Sequence, residues 1–88
     1  MFGGKLTAVT LEASNDMAGI LIDRFGKDIN MIPIDNEHFE TRVEVALSLQ
    51  FYGWLIGLGP DIRLTGPTPA VKELKAHIRR LNEQYLDS

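Results

Sequence analysis

Two histidines, three serines and a scatter of carboxylates are the groups this 88-residue, cysteine-free chain offers to chemistry. His38 and His77 lie far apart, and neither has a second histidine four residues on or a carboxylate at matched spacing. Zinc-type sites are built from such clusters, so no metal site is expected. Ser14 and Ser48 stand where helices should begin and read as caps, and Ser88 ends the chain. No serine is paired with a base as a nucleophile must be. Asp35 and Glu37 flank Asn36 in a polar cluster that reads as a turn rather than as a general-acid pair. The run Gly53-Trp54-Leu55-Ile56-Gly57-Leu58-Gly59 is rich in glycine. It lacks the Gly-Lys-Ser/Thr of a phosphate loop and the G-x-G-x-x-G of a dinucleotide site. Its glycines read as small residues that let a helix lie close to a sheet, with Gly59 as the stop. No catalytic residue and no cofactor follow from these patterns, and the chain is expected not to be an enzyme.

The residues that could contact a ligand or a neighbouring domain are Arg24, Phe25, His38, Arg42 and Arg63. Arg24 sits at the end of a helical stretch, where a cation suits the helix dipole; its fork would equally suit a phosphate or a carboxylate. Phe25 beside it belongs to the apolar stripe of the same helix. His38, Glu40, Arg42 and Glu44, with Arg63, form the mixed-charge side of a sheet. A half-solvated antiparallel sheet accounts for them, and so does a docking surface.

The elements that must position these residues follow from hydrophobic period. Residues 5–13 alternate, with Val9, Leu11 and Ala13 on one side and Thr10 and Glu12 on the other, as in a half-buried strand. Ser14-Asn15-Asp16 suits a helix N-cap; Met17, Ile20, Leu21 and Phe25 recur at helical spacing, and Gly26 stops them. Residues 29–34 make a short β-like run whose Pro33 confines it to a sheet edge. Phe39, Thr41, Val43, Val45 and Leu47 then alternate with His38, Glu40, Arg42, Glu44 and Ala46 in the clearest strand. Ser48 caps a second helix with the stripe Phe51, Trp54, Leu55 and Leu58, ended by Gly59-Pro60. Residues 61–65 are a strand with Ile62 and Leu64 inward, and Thr68-Pro69 opens a last helix. Val71, Leu74, Ile78, Leu81 and Tyr85 make a narrow seam along it. Their 3-4-3-4 spacing is that of helix–helix packing and makes them interface candidates for a two-fold homodimer.

The order is α+β: a ferredoxin-like split βαβ sandwich, β-α-β-β-α-β, with an additional C-terminal helix at an edge or across the layer. Residues 1–88 are enough for one domain. With 44% apolar and 24% charged residues the chain should fold. Its net charge of −3 lacks the basic excess of a DNA-binding domain. There is no signal-peptide pattern and no apolar run of membrane-spanning length, and the lack of cysteine fits a reducing cytoplasm.

Three segments together carry a family likeness. Residues 22–28 (Ile-Asp-Arg-Phe-Gly-Lys-Asp), His38-Phe39 opening a strand, and residues 50–59 (Gln-Phe-Tyr-Gly-Trp-Leu-Ile-Gly-Leu-Gly) resemble the C-terminal extension (WCX) of WYL-domain bacterial transcription regulators. The resemblance runs from about Val9 to Tyr85 and carries over Arg24, Phe25, Phe51, Gly53 and Trp54. It implies a parent with an N-terminal helix-turn-helix that contacts DNA and a WYL domain that senses a nucleotide or small-molecule effector. The extension would then aid dimerisation and effector response. The WYL triplet and any helix-turn-helix are absent, so those sensing and DNA-binding residues are not carried over, and the chain is expected to be a piece of a longer regulator. The alternative is an autonomous ferredoxin-like small-molecule sensor; fold alone does not separate the two.

Overall fold

The computed structural model describes residues 6–86. Lys5, expected to open the first strand, and Ser88 lie outside them. The elements are β1 (Leu6–Ser14), α1 (Ala18–Phe25), β2 (Ile32–Pro33), β3 (His38–Ala46), α2 (Leu49–Gly57), β4 (Ile62–Gly66) and α3 (Thr68–Leu86). The sheet order is β2-β3-β1-β4, with every neighbouring pair antiparallel. This is the expected ferredoxin-like sandwich with an additional helix.

Alternation decides which face is buried. Val9, Leu11 and Ala13 of β1 and Phe39, Thr41, Val43 and Val45 of β3 point into one core with Leu21, Phe51 and Leu55 from the helices. Val43 and Val45 are 7% and 8% exposed, so the register read from the sequence holds; a slip of one residue would have turned them outward. Val9, Leu11, Val43, Val45, Phe51, Leu55, Ile62 and Leu64 are buried as their spacing predicts, with Phe25 and Leu58 half-buried at the rim.

Three local readings are corrected. The Ser14-Asn15-Asp16 cluster does not cap a helix through a side chain. Asn15–Met17 is a 3-10 turn, and Asn15 instead ties the β2–β3 turn down: its backbone N–H donates to Glu37 O at 2.8 Å and its Nδ2 to Asn36 O at 3.0 Å. The turn shifts the phase of α1, so the stripe is Met17, Leu21 and Phe25, and Ile20 is exposed. The strand expected over 29–34 shrinks to Ile32–Pro33, although Ile29 and Met31 still pack on the core. Ile34 N–H donates inward to His38 O at 2.9 Å, so alternation turns the Pro33 nitrogen, which has no hydrogen to give, outward at the sheet edge. Finally, Gly53 and Gly57 do not serve close packing, since a Cβ on either would meet nothing within 4 Å. Among the described residues, Gly26 and Gly59 are the glycines whose backbone needs them, at φ 99° and 84° where the two helices end.

Ser48 caps α2 as read, its Oγ accepting from Phe51 N–H at 3.2 Å. The third helix joins the helix layer rather than crossing the open sheet face. Ala70 is fully buried, Val71 and Leu74 pack on the core, and Tyr52 Oη of α2 donates to Glu73 Oε1 at 2.6 Å.

Candidate functional site

The five contact candidates separate into two groups. Arg24 and Phe25 lie at the end of α1, where it meets α2. The Arg24 guanidinium carbon stands 5.0 Å from the centre of the Trp54 ring. Phe25 meets the same ring edge-on at 5.6 Å, and Phe51 stacks against it at 6.1 Å. Four of the five residues that carry the likeness thus converge, because helix phase brings the last turn of α1 onto the Phe51–Trp54 side of α2. The fifth, Gly53, faces solvent. A cleft of about 280 Å3 opens beside them, lined by Arg24, Phe25, Phe51, Ser48, Gln50 and Glu44 among others. The cation–π contact places the guanidinium over an aromatic face, and among the described residues Arg24 makes no ion pair, so its N–H groups can offer a fork to an acceptor.

His38, Arg42 and Arg63 lie on the opposite, open face of the sheet. Pairing places Glu40 directly across from Glu12, Glu12 across from Arg63, and Arg42 across from Thr10. Two like charges face each other at the centre, with an arginine toward either side. Among the described residues none of these side chains makes an ion pair with another. His38 closes the row at the β2–β3 turn. Asp35 Oδ1 accepts from the backbone N–H groups of Glu37 at 2.7 Å and His38 at 2.9 Å, and from His38 Nδ1 at 3.0 Å. The Glu37 N–H, then the imidazole, hold the Asp35 carboxyl below its usual range, while Asp35 pushes the His38 imidazole up. His38 is therefore engaged in its own turn. An aspartate three residues ahead of a histidine is the sequence signal for this bond.

The interface candidates divide within one helix. Val71 and Leu74 are half-buried against the core, Leu81 is half-buried, and Ile78 and Tyr85 are exposed. Sequence reasoning missed Tyr52, which lies off the Phe51 stripe. It is buried, and burial followed by its bond to Glu73 pushes its phenol above the usual range. The Tyr52-to-Leu55 spacing marks a second buried side of α2, the one facing α3. Among the described residues no cluster of acidic, histidine or cysteine side chains could hold a metal, and no helix is long and apolar enough to cross a membrane.

No curated protein and no solved structure matches the chain. The WCX-domain family model matches residues 5–81. With that match over most of its length, on a ferredoxin-like frame that gathers Arg24, Phe25, Phe51 and Trp54, the chain belongs to the WCX domain family, the C-terminal extension of WYL-type regulators.

Proposed function

We propose that the domain is the regulatory and oligomerising element of a cytoplasmic WYL-type transcription regulator, with no catalysis of its own. In this reading it pairs two subunits and couples them to an effector, a nucleotide or small molecule, while DNA is bound by a separate N-terminal domain. The observation that carries it is the distal half of α3. The helix is anchored by Val71 and Leu74 and then runs on with Ile78, Tyr85 and Leu86 exposed by 48%, 71% and 75%. An apolar stripe of that length favours a partner, most simply a second copy about a two-fold axis.

Sedimentation over a wide concentration range tests the pairing. A dimer should form as concentration rises, and Ile78→Glu with Tyr85→Glu should return it to monomer without loss of helix content. A species that stays monomeric at the highest concentration overturns the pairing.

A second reading, an autonomous small-molecule sensor, is favoured by the cleft at Arg24. Trp54 is the single tryptophan of the chain and touches Arg24 and Phe25, which line that cleft, so its fluorescence reports a change at either of them. A saturable response of the isolated domain to small carboxylates or phosphates, lost in Arg24→Ala, would select this reading.

A further inference from the structure

A groove of about 540 Å3 touches Ile62, Arg63, Leu64 and Thr65 in succession. Successive strand residues point to opposite faces, so a groove that meets four in a row lies along the edge of β4 rather than on either face. β4 ends the sheet order and pairs with β1 alone. Among the described residues its backbone makes no hydrogen bond to any element beyond that pairing. The two edges of the sheet are unlike. Proline blunts β2 at the position that would face an incoming strand, whereas β4 carries none and keeps its outward N–H and C=O groups. On the helix side the groove has apolar walls, with Ile56 from α2 and Leu74 and Ile78 from α3. Its charged lining consists of Arg63 and Lys75, both cationic, and neither is ion-paired among the described residues. Glu12, across from Arg63 on β1, leaves it free.

We propose that this edge accepts an extended segment of another polypeptide, which adds a fifth strand beside β4. Backbone groups of the segment would pair with the free edge, as in β-strand addition. Alternate apolar side chains would enter the groove between α2 and α3. Acidic side chains at the positions between would meet Arg63 on the open face, while Lys75 adds its charge from the helix side. Unpaired edge, apolar walls and a purely cationic lining together specify a segment that alternates apolar and acidic residues. The inference goes beyond the regulatory reading and does not rest on it, although Leu74 and Ile78 belong both to the wall of the groove and to the α3 seam.

The probe is a capped decapeptide alternating valine and glutamate, titrated into the isotopically labelled full chain and followed by amide NMR. Binding should shift β4 and α3 resonances and slow exchange of the outward β4 amides. Replacing glutamate by lysine in the peptide should weaken binding about tenfold, and Arg63→Glu should reverse that preference. A peptide N-methylated at every backbone amide should not bind. The proposal is overturned by any of four results: no binding, equal binding of the N-methylated peptide, shifts confined to the β2 edge, or β4 amides that become protected with protein concentration alone. The last would mean that a second copy fills the edge. The titration is run at a concentration where sedimentation shows a monomer, because pairing through Ile78 would cover one wall of the groove. Failure of the peptide there, with a dimer forming at higher concentration, leaves the α3 pairing intact, so the two readings fail separately.

Discussion

Thr41 faces the core between Phe39 and Val43, with its Oγ1 buried and without a hydrogen-bond partner. A buried hydroxyl that gives up water and gains nothing costs stability, and valine has nearly the same shape. Thr41→Val should therefore stabilise the domain by about 1 kcal/mol in chemical denaturation. A loss of stability would show that the hydroxyl is satisfied in solution. The Asp35–His38 pair is exposed, so its effect belongs to the turn rather than to the core. His38 is raised, so its contribution is full below the ordinary imidazole value and fades as pH rises through the raised one. Asp35 is lowered, so its contribution is present above the ordinary carboxylate value and fades as pH falls through the lowered one. The turn is firmest between the two. An NMR titration should place the His38 midpoint above 6.5, and Asp35→Asn should bring it back toward that value. A midpoint at or below 6.5 in the unaltered chain contradicts the pairing.

At the scale of elements, α2 is buried on two sides, by the sheet through Phe51 and Leu55 and toward α3 through Tyr52. Its solvent side carries Gly53, with open space where a Cβ would be. Glycine inside a helix costs roughly 0.5–1 kcal/mol relative to alanine, and no contact here requires it. Gly53→Ala should raise the unfolding free energy by about that amount in chemical denaturation and leave the NMR fingerprint of the core unchanged. A destabilised Gly53→Ala would mean that something other than solvent approaches this face of the helix.

For the whole molecule, charge sets the expectation. Twelve acidic against nine basic side chains leave a net −3, and the open face mixes both signs. Phosphate neutralisation needs a cationic surface, so this chain alone should not bind duplex DNA even at low salt. A titration that gave sub-micromolar affinity, steeply weakened by added salt, would contradict this.

Period, caps and breakers determined the element order, the faces of β1 and β3, the Ser48 cap and the edge position of β2. Each of these is local: a side chain two or four residues away decides it, and both lie in the same stretch of chain. The likeness carried by Arg24, Phe25, Phe51 and Trp54 was legible in the same way, as residues in order. Their meeting was not, because α1 and α2 are joined through β2 and β3 and are brought together by the shared core. The Tyr52–Glu73 bond spans 21 residues, and the groove along β4 is walled by α2 and α3. The tertiary structure alone decided that α3 would lie against α2 and β4 rather than over the open sheet. Its amphipathic seam would suit either surface, and what separates the two is that Ala70, Val71 and Leu74 bury apolar surface against the shared core, which the polar open face does not offer.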